Sequence, residues 1–286
     1  SRGLGDVYKR QKHRILHLAD MNVDAINYDL LYRALQCGFT DIQISPVQSI
    51  REEITDWWNL YQPTDITVGN KIANINSLRN LANRCKLVGL GLIVDIVTHH
   101  TTTDLSRSNL IRLLYDESRL VQNYESRYES THYRVGGLPT LDMWGSKLQS
   151  KVNTFIHELI DCGVTGLRWD ACKHIELPCE GCSFFTNTMQ RFPELFQYGE
   201  VIFTPHDLLK KYQEIMIVGT ENPQGTDDSK CVLWVESHDS FREGWSNHLD
   251  SNTVVANYYR LLNEHPNANT LFYQRPYDNS WKNMKH

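Results

Sequence analysis

Short apolar runs alternate with amphipathic segments along most of this chain. Residues 75–88 carry apolar side chains at helical spacing, and Gly89 then leads into LGLIVDIV, a nearly continuous apolar run at 90–97. A run of this kind is typical of a parallel strand that is buried on both faces. The alternation predicts right-handed βαβ units and a parallel sheet.

The same pattern predicts eight strands and five long helices. The strands are predicted at 14–18, 40–45, 90–97, 164–170, 198–203, 216–222, 230–239 and 270–276. The helices are predicted at 26–35, 75–88, 147–161, 205–215 and 253–264. Residues 98–146 break the rhythm with Thr, Ser, Tyr and Gly, and we interpret them as an insertion after the third strand.

Carboxylates stand near the ends of several predicted strands. Asp170, Glu200 and Asp239 are the three examples, and the segment DIVTHH adds polar residues after the third strand. An open doubly wound sheet is the competing architecture, but no GxGxxG motif follows the first strand. We therefore predict an α/β fold with a closed (β/α)8 TIM barrel, since barrel enzymes place their chemistry at the carboxyl ends of the strands.

Composition narrows the class of protein. The 286 residues carry a formal net charge of −5 with scattered Lys and Arg, which argues against a nucleic-acid partner. The longest apolar stretch, 87–97, is interrupted by Asp95 and is shorter than the roughly 18 residues of a membrane span. We expect a monomer without a membrane partner. Residues 1–11 show no period and are interpreted as a non-native tail, so the fold is expected over 12–286.

The pair Arg168 and Asp170 is the first candidate for chemistry. The two residues are two apart, so on a strand both side chains point into the same pocket. A cation beside a carboxylate favours the ionised form, as a nucleophile that attacks an anomeric carbon requires. A purely structural ion pair is the alternative interpretation.

Glu200 is the second candidate. It precedes the apolar run 201–203, and such surroundings desolvate a carboxyl group and raise its pKa. An acid that protonates a leaving oxygen near neutral pH needs that shift. A solvated Glu at a strand end is the alternative.

Seven segments together resemble the α-amylase family of retaining glycoside hydrolases, the bacterial secreted members most of all. The segments are GFTDIQISPVQ, WWNLYQP, GLIVDIVTHHTT, GVTGLRWDACKHIELP, FQYGEVI, LWVESHD and TLFYQRP, in that order, from about residue 13 to 277. The resemblance implies a barrel with an inserted domain B at about 98–146 and an α-glucan as substrate.

The resemblance also implies a role for each matching residue. Asp170 would be the nucleophile, Glu200 the acid/base, and Asp239 the stabiliser of the transition state, assisted by His238. Tyr61 would stack on the sugar at the cleavage position, and Lys173 and His174 would contact the sugar on the leaving-group side. The implied substrate-binding residues are Tyr61, Asp95, His100, Arg168, Lys173, His174 and His238.

The chain departs from the family where calcium binds. His99 stands where the family has an Asn ligand, and Thr140 aligns with an Asp ligand. Calcium prefers several hard oxygen ligands, which an imidazole does not supply. We expect no cofactor for the chemistry and a weakened or absent calcium site, for which Asp142 and the backbone carbonyl of His174 are the remaining candidates.

The resemblance further implies a β-sandwich after the barrel, whereas residues 277–286 are all that follow the last predicted strand. We expect a truncated C-terminal end without the sandwich, and apolar faces on the first and eighth strands that lack cover. Family resemblance suggests an extracellular protein, although no signal peptide precedes the first strand.

The predicted function is retaining endo-hydrolysis of α-1,4-glucosidic bonds in starch, glycogen or related glucans by double displacement. Retention requires the two reacting carboxyls to lie about 5 to 5.5 Å apart. A transglycosylase or an exo-acting enzyme of the same family would use the same residues. A non-catalytic glucan-binding protein is the alternative outside enzymes, and such relatives usually lack one of the three carboxylates that this chain has.

Overall fold

Eight parallel strands close into a barrel in the computed structural model, which describes residues 12–115 and 118–285. The strands are β1 (Arg14–Leu18), β2 (Asp41–Ile44), β3 (Gly91–Ile96), β4 (Gly166–Trp169), β5 (Phe196–Glu200), β6 (Ile217–Thr220), β7 (Cys231–Leu233) and β8 (Asn269–Tyr273). Each pairs with its neighbours in chain order, and β1 pairs with β8. The predicted closed barrel is confirmed. The tail proposed at 1–11 lies outside the described residues.

Helices follow most of the strands. The helices are α1 (Tyr28–Gln36), α2 (Ile75–Val88), α3 (Arg127–His132), α4 (Ser146–Asp161), α5 (Phe184–Asn187), α6 (His206–Gln213), α7 (His238–Arg242) and α8 (Ser251–Glu264). The predicted span of α2 agrees with the structure at both ends, because Asn74 caps its first turn and Gly89 ends it in the left-handed conformation. In none of the described helices do length and apolar character suffice for a membrane crossing.

The barrel interior is filled by side chains from alternate strands. Ile15, Ile93, Tyr198 and Val232, from β1, β3, β5 and β7, form an inner cluster that is at most 2% exposed. A second, larger cluster fills the space between the strands and the helices. This division is the layered packing of a TIM barrel, and it leaves the carboxyl ends of the strands for polar residues.

The seam between β1 and β8 is covered, contrary to the expectation that the first and eighth strands lack cover. Trp281 lies in a short 3₁₀ helix after β8, is 1% exposed, and packs edge-on against Phe39 at 6.1 Å between ring centroids. Phe272 of β8 belongs to the outer cluster, is 4% exposed, and lies 6.4 Å from Phe39 between ring centroids. The short segment after the last strand therefore covers the seam between β1 and β8, for which we expected that a full helix would be needed.

Between β3 and α4 the chain forms short elements in place of a further barrel unit. These include α3 and antiparallel bridges that join His100 to Thr140 and Leu114 to Leu141. The insertion therefore begins and ends against the loop that follows β3. Its extent as a separate domain, 98–146, stays a prediction.

Candidate active site

The guanidinium of Arg168 joins three carboxylates. Arg168 lies on β4, directly opposite Asp95 on β3. Its Nη1 donates to both oxygens of Asp95 at 2.9 Å and to Oδ1 of Asp170 at 2.6 Å, and its Nη2 donates to Oε1 of Glu200. Adjacent parallel strands end at the same edge of the barrel, so three side chains distant in sequence converge on one cation.

Asp170 is oriented at one oxygen and open at the other. Its backbone N–H donates to the carbonyl of Ile96 at 2.9 Å, and its Oδ1 accepts from Arg168. No residue that the structure describes donates a hydrogen bond to Oδ2. The free oxygen has the lone pairs that an attack on a ligand would need.

Glu200 lies at the end of β5 with both oxygens engaged. Oε1 accepts from Arg168, and Oε2 accepts from the backbone N–H of Ala171 at 3.0 Å. Ala171 adopts a left-handed backbone with φ of 55°, which is uncommon for a residue other than glycine. Burial, opposed by the Arg168 charge and reinforced by the nearby Asp170 and Asp239, raises the pKa of Glu200 to about 8. Glu200 can therefore hold a proton at neutral pH.

Asp239 comes from a helix start, whereas we predicted a strand end. The strand β7 stops at Leu233, and Ser237 caps α7, so Asp239 lies in the first turn of that helix. Its carboxylate is 31% exposed and lies 3.4 Å from Nε2 of His238. Burial, opposed by Arg168, raises its pKa. Asp239 also contributes to the raised pKa of Glu200, which places it in the same charged cluster.

Aromatic and imidazole rings enclose one side of the cluster. The ring of His238 is stacked on Tyr61 with centroids 5.0 Å apart and planes 14° apart. Nε2 of His100 donates to the backbone carbonyl of Tyr61 at 2.9 Å. His238 occupies one face of Tyr61, Cζ of Arg168 lies 6.0 Å from the ring centroid, and Tyr61 is 9% exposed, so the stacking of a sugar on this ring stays a prediction.

The prediction that Asp95 contacts substrate is wrong in this arrangement. Asp95 is completely buried, and its carboxylate accepts from Arg168 and from the hydroxyl of Tyr61 at 2.8 Å. Burial, partly offset by the Arg168 charge, raises the pKa of Asp95. Asp95 therefore holds Arg168 and Tyr61 in place and does not reach a ligand.

Lys173 and His174 diverge from one another after β4. Nζ of Lys173 donates to the carbonyl of Ile202, in the loop after β5, at 3.1 Å. The imidazole of His174 turns toward the insertion, where its Nδ1 donates to the carbonyl of Ser130 at 2.9 Å. Lys173 is half-buried and its charge interacts with that of Glu200, whereas His174 is 7% exposed. The structure thus brings Lys173 to the cluster more closely than His174.

The position where we expected a weakened calcium site is occupied by a buried imidazole and a hydrogen-bonded hydroxyl. His99 is fully buried with rings of His100 and His174 at 5.6 and 5.7 Å, and burial holds its pKa well below the usual range. The hydroxyl of Thr140 donates to the carbonyl of Tyr133 at 3.2 Å. The neutral imidazole of His99 and the hydrogen-bonded hydroxyl of Thr140 therefore stand where the resembling family has two oxygen ligands.

Asp142, the remaining carboxylate candidate, accepts from the backbone N–H of Gly145 at 3.0 Å, next to the start of α4. Over residues 12–115 and 118–285 there is no group of three or more His, Cys, Asp or Glu side chains that could hold a metal. The donors at this junction do not fit calcium.

Several neighbours of the site were not found from the sequence. His17 on β1 is buried with its ring 5.1 Å from that of His238, and burial, with the charges of His238 and Arg168, lowers its pKa. Glu236 and Arg275, both buried, form a bidentate pair at 2.8 and 2.7 Å. Both members of the pair lie in segments that carry the family resemblance, but sequence alone does not show that they meet.

A pocket of about 350 Å³ adjoins the cluster. Trp57 stands in its wall and packs edge-on against His238, with ring centroids 5.7 Å apart. The lining residues are Asp20, Asn22, Thr55, Trp57, Leu60, Lys71, Ile72 and Arg242. None of the three carboxylates is among its lining residues, and its link to the cluster is the contact of Trp57 with His238.

The chain is similar in sequence to known α-amylases. No family model matches the chain. An α-amylase of Clostridium acetobutylicum is 26% identical over 93% of this chain, and one of Butyrivibrio fibrisolvens is 24% identical over 86% of it. The chain spans 40% and 33% of the lengths of those two relatives.

Solved structures share the barrel. Wild-type α-amylase I of Eisenia fetida has a TM-score of 0.77 at 20% identity, covering 94% of this chain and 70% of that protein. A mutant of the same enzyme in complex with maltohexaose has a TM-score of 0.75, also at 20% identity, covering 93% and 68%. An Anoxybacillus α-amylase has a TM-score of 0.70 at 14% identity, covering 100% and 75%. At these identities the likeness is one of fold.

Proposed function

We propose that this chain, which belongs with the α-amylases in sequence and in barrel fold, is the catalytic barrel of a retaining endo-hydrolase of α-1,4-glucans such as starch or glycogen. The relatives are α-amylases by name, and one neighbouring structure holds maltohexaose. The substrate proposed here is of the same chemical class.

One observation carries the proposal: two carboxyls with different surroundings meet on the Arg168 guanidinium. Asp170 is held at Oδ1 and open at Oδ2, while Glu200 is partly buried with its pKa raised. An open carboxylate oxygen suits a nucleophile, and a carboxyl that keeps its proton suits a general acid. Two groups on one guanidinium are also close, which favours the short separation of retaining enzymes over the wide one of inverting enzymes.

The proposed reaction has two displacements. Oδ2 of Asp170 attacks the anomeric carbon while Glu200 donates its proton to the glycosidic oxygen, so the bond from that carbon to the oxygen breaks and the leaving sugar departs. Glu200 then takes a proton from water, the water oxygen attacks the same carbon, and the bond to Asp170 breaks. Asp239 and His238 would hold the ring hydroxyls, and Arg168 would compensate the charge of the carboxylates.

The anomeric outcome tests the mechanism. Maltoheptaose is incubated with the protein, and proton NMR follows the new reducing ends within the first minutes, before mutarotation mixes the anomers. We expect the α-anomer to appear first. Initial formation of the β-anomer would show inversion and would remove Asp170 as nucleophile.

Endo-hydrolysis is the preferred mode among several that share these residues. The pocket beside Trp57 and the partly exposed carboxylate of Asp239 support this mode, since binding within a long chain needs contact surface beyond the reacting carboxyls. Transfer to a sugar in place of water, or cleavage from a chain end, would change the products and not the residues. Chromatography of the early products of a long maltooligosaccharide separates these modes.

A non-catalytic glucan-binding protein is less well supported, because all three carboxylates are present and lie in one cluster. We also propose, on family resemblance, an extracellular monomer. Size-exclusion chromatography with light scattering measures the oligomeric state.

A further inference from the structure

Arg127 of the insertion makes an unusually complete set of contacts with the loop that follows β4. Its Nη1 donates to the carbonyl of Lys173 at 2.5 Å, and its Nη2 donates to the carbonyl of Ile175 at 3.0 Å. Both carbonyls flank His174. A single side chain therefore satisfies the backbone oxygens on either side of that residue.

The other end of the same loop is held through Glu180. Nε of Arg127 donates to Oε1 of Glu180 at 2.8 Å and Nη2 donates to Oε2 at 2.6 Å, a bidentate pair. Oε2 also accepts from the backbone N–H of Leu177 at 2.7 Å. Bidentate Arg–carboxylate pairs add directional restraint to their charge, so the loop is held at both ends by one guanidinium.

Tyr212 of α6 contacts both the β4 loop and Arg127 from the barrel side. Its buried hydroxyl lies 3.0 Å from the carbonyl of Cys172 and 2.7 Å from that of Ile175, and it accepts from Nη2 of Arg127 at 3.0 Å. The helix α3 contributes a second contact, since Ser130 accepts from His174. The insertion, the β4 loop and the outer helices thus meet at Arg127.

We infer that Arg127 is a positioning residue for the leaving-group side of the cleft. Its side-chain cation ties the insertion to the β4 loop. The donors at this junction do not fit calcium, so the connection is made by the side chain. Arg127 holds the backbone carbonyl of Lys173, and the side-chain charge of Lys173 interacts with Glu200. The inference rests on the proposed function, because a leaving-group side exists only if a glycosidic bond is cleaved here.

Two substrates separate positioning from general stability. Maltopentaose has a sugar as leaving group, whereas α-maltosyl fluoride has only fluoride and makes no contact with a leaving-group sugar site. In Arg127→Gln we expect kcat/KM for maltopentaose to fall at least about tenfold, and kcat/KM for the fluoride to fall by no more than about threefold. Arg112→Gln, an exposed arginine of the same insertion, is the matched control, and we expect the ratio of the two values to match that of the unaltered protein.

An equal loss on both substrates would overturn the inference, because it would show loss of folded protein and nothing specific to the leaving-group side. Arg127→Lys guards against a variant that fails to fold: a point charge cannot reach two carbonyls and Glu180 together, so the same selective loss is expected. Failure of the unaltered protein to cleave either substrate would refute the proposed function and the inference with it.

Removal and addition of calcium test whether Arg127, and not a metal ion, ties the insertion to the β4 loop. We expect the melting temperature of the full chain to be unchanged after dialysis against EDTA and after addition of calcium. A fall on chelation that calcium restores would show that a metal, and not Arg127, holds this junction.

Discussion

Arg168 is the residue on which the charge balance of the site depends. It contacts Asp95, Asp170 and Glu200, and each of them lies on or directly after a different strand. Lys could supply the charge but not the fork that reaches oxygens on both sides. The orientation of Asp170 and Glu200, the two carboxyls that we propose to react, therefore depends on this guanidinium as much as on their own strands.

The first prediction concerns Asp170. Asp170→Asn keeps the shape of the side chain but removes the nucleophilic oxygen, so kcat/KM on maltoheptaose should fall by at least about 10³-fold. Asp207→Asn is the control, because that carboxylate is 97% exposed. Retention of more than a tenth of the activity in Asp170→Asn would exclude the assigned role.

The second prediction concerns pH. The folded pKa of Glu200 is raised, so the proton that the reaction needs is bound below about pH 8 and is lost as the pH rises through that value. The kcat/KM, which reports the free enzyme, should therefore fall about tenfold per pH unit above that point. A profile that stays flat up to pH 10 would contradict this.

At the residue scale, the sequence predicted the carboxylates better than their partners. Asp170, Glu200 and Asp239 were found because each stands close to the end of an apolar run or begins the next element. The burial of Asp95 was not found, because a charged residue inside a strand has no signal in the pattern until its cross-strand neighbour is known. For the same reason the contact of His17 with His238 could not be predicted.

At the element scale, β7 and the helix after it show how local capping overrides a strand pattern. The run 230–239 predicted one long strand, but the ladder ends at Leu233 and α7 begins after Ser237. The side chains of Ser237 and Ser240 form a reciprocal capping box. The first turn of α7, and not a strand, therefore determines the direction of the Asp239 side chain.

The buried pair of Glu236 and Arg275 connects that turn to the end of β8, and it is the basis of the third prediction. Arg275 also donates to the carbonyl of Leu249 at 2.7 Å. Arg275→Met would leave a buried carboxylate unpaired, so the free energy of unfolding should fall by about 3 to 5 kcal/mol. Urea denaturation followed by circular dichroism measures the loss.

Arg260→Met is the control for that experiment, because the pair of Arg260 with Glu264 is exposed at 3.9 Å. The double variant Glu236→Leu with Arg275→Met should recover part of the loss, since it leaves no unpaired charge. If Arg275→Met is no more costly than Arg260→Met, the pair does not anchor the loop.

At the scale of the whole molecule, the barrel was predictable and the insertion was not. Continuous apolar runs and amphipathic helices repeat along the chain, and few folds can bury the apolar faces of such a repeat. The insertion has no such repeat, so the role of Arg127 could be read only from the folded arrangement. The cover that Trp281 gives to the β1–β8 seam was missed because a single aromatic residue in a short segment carries no periodic signal.

The fourth prediction concerns the junction between barrel and insertion. Burial, with the charges of His100 and His174, lowers the pKa of His99, so His99 binds a proton more readily in the unfolded chain. The stability that this neutral group contributes is fully present above about pH 6.5 and is lost as the pH falls below it, by up to about 1.4 kcal/mol per pH unit.

His99→Phe should therefore flatten the decline of unfolding free energy between pH 6.5 and 4.5 by up to that amount. The surface residue His248 provides the control variant, His248→Gln. Denaturation midpoints at several pH values give the slopes, and an unchanged slope in His99→Phe would show that His99 does not drive the acid sensitivity.

The contact of three acids with one guanidinium also determines how many protons the cluster binds. With all three ionised, the group would carry two uncompensated negative charges where little water reaches, and a proton on Glu200, whose pKa is raised, halves that excess. In the proposed second displacement Glu200 takes a proton from the attacking water, so each catalytic cycle would restore that proton without drawing on the bulk solvent.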